Sequence, residues 1–335
     1  VATAAIQKRA QRFDVAQRRI EMLGVKDAVR QSRALRQAVI NPVSWRNERQ
    51  RALKAYAELL SEGMVAAYLL GIVQVVQQAR EDTGERLAMS LLDDELSRLA
   101  VESQAFTPAF IEGQRRRFGK VGAQLTAQID GRLTQHVDLA LKRLRAEGIS
   151  TVSAEGQTQV RAAFAKAGVG PEALGKPYLL ETMFRTQTQV GYAVGREAAV
   201  QNPLIDEQLW GYEYVTMGDD RVRAEHAAME GVTLPKADPY WTTNTPPNGW
   251  NCRCQKLLVF KDEAPATPTE PEVKKIDGKP TEPVPDKGWA FDPGKAFGDV
   301  LAARPPLFAG EVLKTTPIPR RRRVASTARQ QIARP

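Results

Sequence analysis

Over most of the first 200 positions, apolar residues recur at intervals of three and four in a background of Ala, Leu, Gln, Arg and Glu. That spacing predicts helices. A first helix is expected to run to about Ile40 and to break at Asn41-Pro42. A second is expected to start at Ser44 as N-cap, carrying Trp45, Leu53, Tyr56, Leu59 and Leu60 into the apolar stretch Gly63 to Val76. That stretch is shorter than the roughly 20 residues that span a bilayer, and glutamines mark its end, so it reads as a buried helix. Glu81-Asp82-Thr83-Gly84 is the next expected break, followed by a helix bearing Leu87, Leu91, Leu92, Leu96 and Leu99. Thr107-Pro108 opens a long helix through Phe118, Leu125, Ile129, Val137 and Leu144, closed by Glu147-Gly148. Ser150 to Gly168 holds a shorter one, and Tyr178 to about Val200 forms the last, after Lys176-Pro177. Long helices with few loops describe an elongated arm or a bundle, and the sequence leaves both open.

After Asn202-Pro203 the pattern changes. Trp210-Gly211-Tyr212-Glu213-Tyr214-Val215-Thr216 alternates large and polar side chains as a half-buried strand does, and Lys256 to Phe260 is a second strand. A Pro- and Asp-rich loop with one short helix lies between them. From Lys261 to Asp286 six prolines stand among Glu, Thr and Lys, a composition that favours a tether or a strap along another surface. Gly288-Trp289-Ala290-Phe291-Asp292-Pro293-Gly294 puts two aromatics into a polar segment, which suggests docking. The expected fold class is mainly α: helices over 1–175, a small α+β domain over 176–260, a Pro-rich linker over 261–287, a docking segment over 288–313 and a basic tail over 314–335.

Charge changes this picture little. The net charge is +9, but Lys314, Arg320, Arg321, Arg322, Arg323, Arg329 and Arg334 supply seven of it with no acid after Glu311. Such a run is either a solvated tail or a contact for DNA or an acidic surface. The two cysteines are spaced Cys-Arg-Cys, too close for an unstrained bridge, which fits a reducing, cytosolic origin. The start, Gln7-Lys8-Arg9-Ala10-Gln11-Arg12, leads into a polar helix pattern without an apolar core, so no export by a signal peptide is expected.

Special residues concentrate between Gly218 and Cys254. Cys252 and Cys254 as thiolates with His226 as an imidazole would favour zinc, with Asp219, Asp220 or Glu225 as candidates for a fourth ligand. The other reading makes both cysteines small buried residues beside the second strand. Asp219 and Asp220 are expected to cap a helical turn from Arg221 to Met229. Arg221, Arg223 and Arg253 read as clamps for a thin core, with an anion site as the alternative. His136 reads as a helix-surface residue, and no Gly-framed nucleophile accompanies either histidine, so catalysis is not expected.

The order Asp-Asp-Arg-Val-Arg-x-x-His from Asp219, then Gly231, then Asp238-Pro239-Tyr240-Trp241, then Pro246-Pro247-Asn248-Gly249-Trp250-Asn251-Cys252-Arg253-Cys254 resembles the Mu F-like domain of phage minor head proteins. The helix with Arg185-Thr186, Tyr192 and Arg196 resembles the one that opens that domain, and Gly288 to Gly294 resembles its trailing element, so the likeness spans about Tyr178 to Gly298. Some relatives carry Cys-x-x-Cys where this chain has Arg223 and His226.

The resemblance implies a structural protein present in few copies per virion, inside the head or at its portal vertex and assembled in the host cytoplasm. Its partners would be the portal protein and the major capsid protein, with roles in head assembly, DNA packaging or genome ejection. Packaged double-stranded DNA would meet Arg320, Arg321, Arg322 and Arg323, and no membrane is implied. The structural motif residues would be Asp219, Asp220, Arg221, Gly231, Trp241, Trp250 and Arg253, with zinc as the cofactor if His226, Cys252 and Cys254 bind one. The competing class is a DNA-binding or nuclease-like enzyme built on His226 with Cys252 and Cys254. It lacks the clustered carboxylates of a two-metal site. An ADP-ribosyltransferase fusion would need an appended domain where the linker and tail stand.

Overall fold

The computed structural model describes residues 18–22, 24–28, 30–31, 34, 44–82, 108–167 and 178–292. The expected Leu87–Leu99 helix, the basic tail and the docking segment beyond Asp292 lie outside the described residues. So does part of the first helix, whose described positions between 18 and 34 are helical.

Helix α1 is Trp45–Asp82, opening as expected after Ser44, whose carbonyl accepts the Glu48 amide at 3.0 Å. It is far longer than its apolar stretch. Its Trp45–Ala79 portion is long and apolar enough to cross a membrane, and 67% of its most apolar window is buried inside the protein. Two partners cover it. One is α2, Pro108–Leu133, and the other is α5, Tyr178–Val200. The crossing with α5 is close because glycines face each other there. A Cβ on Gly71 would overlap the Tyr192 carbonyl oxygen, and one on Gly195 would overlap that of Tyr68. Tyr56, wholly buried, donates its hydroxyl proton to the Leu180 carbonyl at 2.6 Å.

The long helix expected from Pro108 to Leu144 exists but is not uniform. A π-helical turn, Thr134–Asp138, separates α2 from α3, Leu139–Ala146. In an unbroken α-helix, residues eight apart point about 80° away from each other. The wider turn reduces that offset, and both Asp130 and Asp138 reach the buried Arg49 of α1, at 2.8 and 2.7 Å. Trp45 Nε1 donates to the same Asp138 oxygen at 2.6 Å. Gly148, at φ 71, ends α3 where Glu147-Gly148 was expected to end it. Helix α4, Ala154–Lys166, follows.

Helix α6, Pro203–Gln208, leads into a three-stranded antiparallel sheet of order β2-β1-β3. The central strand β1, Leu209–Val215, and the edge strand β3, Gln255–Phe260, match the two strands expected from the sequence. The other edge, β2, Thr233–Pro235, was not expected: three residues ending in proline carry no period. One continuous apolar core joins the helices to this sheet, from Ala28 and Trp45 through Phe184 to Tyr214 and Phe260. The chain is thus mainly α with a small strand-containing unit.

The Pro-rich stretch is not featureless. It holds a hairpin, β4 Lys274–Ile276 with β5 Lys279–Thr281, turned by Asp277 at φ 49 and Gly278 at φ 77. Asp-Gly between two short runs is a recognised hairpin signal that the proline composition masked. Upstream, Thr269 pairs with Thr233 through two backbone bonds of 2.9 and 3.0 Å, so the stretch runs as a strap along the β2 edge.

Candidate functional site

Three pieces of chain meet at one corner: helix α7, Ala224–Ala228, the turn ending at Cys254, and the strap around Asp286. Gly218, at φ 63, turns the chain out of the sheet. Asp219 then accepts the Arg221 amide at 3.2 Å, the Arg221 guanidinium at 3.1 Å and the Arg253 guanidinium at 2.5 Å. Burial opposes its ionisation, but the bonds and charge of the two arginines outweigh that and lower its carboxyl to about 2. Committed to these arginines, Asp219 does not cap the helix, and Asp220 is exposed. Helix α7 starts later than expected, with Arg223 at its N-cap and no side-chain cap bond. The expected N-cap pair is therefore corrected to an arginine clamp.

His226 projects from α7 into the interior, 2% exposed. Its Nδ1 lies 3.7 Å from Cys252 Sγ and 3.9 Å from Cys254 Sγ. Residues two apart in extended chain share a face, which is how Cys-Arg-Cys aims both thiols inward while Arg253 turns to Asp219. On its other side, Nε2 stands 3.3 Å from Asp286 Oδ1, a charge contact and not a well-formed hydrogen bond. Burial alone would lower the imidazole, but Asp286 and Cys252 together raise it to about 9. Burial likewise resists thiolate formation at Cys252. Hydrogen bonds from Cys254, His226 and the Asn248 backbone overcome this and hold Cys252 well below the ordinary thiol range. Cys254 is pushed well up by its bond to Cys252 and by burial.

The surrounding frame is polar and specific. Asn248, fully buried, accepts the Tyr214 hydroxyl at 3.0 Å, and its carbonyl accepts the Asp286 amide at 2.9 Å. A Cβ on Gly249 would overlap the Asp286 carboxylate, so a larger residue there would push that carboxylate from its place. Arg223 reaches Asp286 Oδ2 at 3.4 Å and donates to the Trp250 carbonyl. Trp289 packs edge-on to Trp250 with ring centroids 5.3 Å apart, so the aromatic segment docks back onto the protein. Asn251, at φ 55, donates its amide to Thr186 Oγ1 at 3.1 Å and its side chain to Thr182 Oγ1 at 3.3 Å, tying the corner to α5.

Of the residues singled out in the sequence, His226, Cys252 and Cys254 converge, and Asp219, Arg221, Arg253 and Trp250 frame them. Gly231, at φ 77, instead turns the chain into β2, donating to the Tyr214 carbonyl at 2.9 Å. Trp241 is buried edge-on against Tyr212, 5.4 Å between centroids. Glu225 is exposed, and Arg320 to Arg323 lie outside the described residues. Asp286 is missed in the sequence, where it is an unremarkable acid in the Pro-rich stretch until the strap folds over, and so are Asn248 and Gly249 as its seat.

The family described as Phage Mu protein F like protein matches residues 132–257. Those residues are a Mu F-like region. The match begins inside α2, well upstream of the Tyr178 start that the motifs suggested, and takes in α3 and α4. Among curated relatives, protein F of Escherichia phage Mu, which is named for capsid assembly, is 29% identical over 152 residues, covering 37% of this chain and 34% of the relative. The F protein of the Mu-like prophage FluMu of Haemophilus influenzae is 42% identical over 82 residues, covering 24% of this chain and 19% of the relative. The chain thus spans about a third or less of the length of these relatives. No solved structure matches the chain. The Mu F-like region ends at Leu257 in β3, so it includes His226, Cys252 and Cys254 but not Asp286 or Trp289 of the strap.

Proposed function

We propose that this chain is a structural minor head protein of a tailed bacteriophage, associating with the portal and the capsid interior and assisting head assembly, DNA packaging or genome ejection. The observation that carries this reading is the Mu F-like match over residues 132–257, shared with a phage Mu protein named for capsid assembly. The form of the matched region supports it: among the described residues a thin sheet is clamped by arginines and pinned to a long helix, and the cavity beside the cluster holds only about 20 Å³, far below the size of a small-molecule site. The partners in this reading are the portal protein and the major capsid protein, at the portal vertex of the virion. The basic run Arg320 to Arg323 is its contact with packaged DNA.

The nuclease-like alternative needs neighbouring carboxylates. Among the described residues, the one group that gathers three or more His, Cys, Asp or Glu ligand atoms is His226 with Cys252 and Cys254, which holds no acid. The structural role is tested by mass spectrometry of procapsids and virions purified from the phage that encodes the chain. A few copies per particle, crosslinking to the portal, are expected. Absence from both particles would overturn the proposal. The tail is tested separately: a salt-dependent shift of duplex DNA should vanish when residues after Lys314 are removed.

A further inference from the structure

We infer that His226, Cys252 and Cys254 bind one zinc ion through Nδ1 and the two Sγ atoms, with a water molecule as fourth ligand, and that the ion locks α7 to the Cys-Arg-Cys turn beneath the strap. The ligand atoms of the three side chains all lie within 4.8 Å of one another, and all three residues are buried. Zinc–sulfur bonds of about 2.3 Å and zinc–nitrogen bonds of about 2.0 Å at a tetrahedral angle put N and S about 3.5 Å apart. The observed separations are 3.7 and 3.9 Å. Both sulfurs converge on one ring nitrogen, where a single linear hydrogen bond, donated or accepted, would serve only one of them.

The environment completes the case. Asp286 stands on the Nε2 side of the ring, 3.3 Å away, which turns Nδ1 toward the sulfurs in the manner of a carboxylate behind a metal-bound histidine. A small cavity of about 20 Å³ opens against the cluster, bordered by Met217, Arg221, Val222, Arg223, Asn251 and Arg253. That is room for one water. No acidic residue lines it. Two thiolates and a neutral imidazole cancel the charge of a zinc ion, so the site does not repel the arginines, which are already paired with Asp219 and Asp286. An ion here would act as a staple in a unit whose sheet has one three-residue strand.

The test is elemental analysis of the purified full chain after exhaustive desalting, joined to cobalt substitution. The expected result is about one zinc per chain, and a cobalt form with thiolate charge-transfer bands and the intense visible absorption of tetrahedral coordination. Cys252→Ser and Cys254→Ser should each abolish stoichiometric loading. Asp286→Asn, which alters only the positioning residue, should still load but with affinity lower by about 10- to 100-fold. If the serine variants fail to fold, titrating the wild-type thiols with a mercurial should release the zinc in step with the second thiol. Folded protein with far less than stoichiometric zinc, zinc retained after both thiols are blocked, or a cobalt form without thiolate bands would overturn the inference. These readouts use the isolated chain, so they are independent of the head-assembly reading.

Discussion

The amide of Gln78, near the end of α1, grips both backbone groups of Leu258 on β3: Nε2 donates to the carbonyl at 2.8 Å and Oε1 accepts the amide at 3.5 Å. A strand at a sheet edge normally presents these groups to another strand. Here a helix 180 residues away in sequence supplies the pairing, with Gln78 1% exposed. Replacing Gln78 by Leu keeps the bulk and removes both bonds, leaving buried backbone groups without partners. A loss of about 2–3 kcal/mol is expected, readable as a fall in denaturation midpoint with an unchanged denaturant slope.

The glycine crossing between α1 and α5 makes opposite predictions for two glycine-to-alanine changes. Gly195→Ala drives a methyl into the Tyr68 carbonyl and should destabilise by about 1–3 kcal/mol through helix displacement. Gly131, on the exposed side of α2, has nothing within 4 Å of the added Cβ, and Gly131→Ala should stabilise by about 0.5–1 kcal/mol. Thermal melts of the two variants beside the wild type check both signs.

Arg49 is 3% exposed and depends on Asp130 and Asp138 for compensation of its charge. Asp138→Asn keeps the shape but removes the closer partner and the acceptor of Trp45. A cost of about 2–4 kcal/mol is expected. Because the pair is largely buried, the difference from wild type should persist at molar salt, whereas an exposed pair such as Arg115 with Glu62 would lose its contribution.

Glu213 gives the molecule a pH dependence with a definite sign. Burial in β1, reinforced by Glu230 and Glu263, raises its carboxyl from 4.5 to about 7. Between those values the unfolded chain has released its proton and the folded chain still holds it, so stability falls as pH rises from about 4.5 to 7 and is flat above. Glu213→Gln, neutral throughout, should match the wild type near the lower limit and exceed it by about 3 kcal/mol above neutrality. Melting curves across this range provide the check; an equal gap at every pH would refute the assignment.

The helices were legible because their cause is local. Ser44, Pro108, Gly148 and Pro177 punctuate apolar positions at intervals of three and four, and α1, the closing of α3 and α5 follow them closely. The π turn was not, because it answers to Arg49 on another helix. At the site, Cys252, Cys254 and His226 were visible as residue types able to share a ligand, and their convergence is now a matter of distance. Asp286 was not visible: it enters only when the low-core stretch from Lys261 folds back, guided by an Asp-Gly hairpin and by space that Gly249 leaves open. The Asp219–Asp220 capping expectation failed for the same reason, since Arg253, 34 residues away, takes Asp219 first.

The strap also fixes where mechanical load would enter. Trp289, three residues before the last described position, rests its ring on Trp250, only two residues before Cys252. Along the chain, a load applied at Asp292 would meet this pair of indoles first, then the Asp286 seat, and only afterwards the Thr269–Thr233 bridge to the sheet.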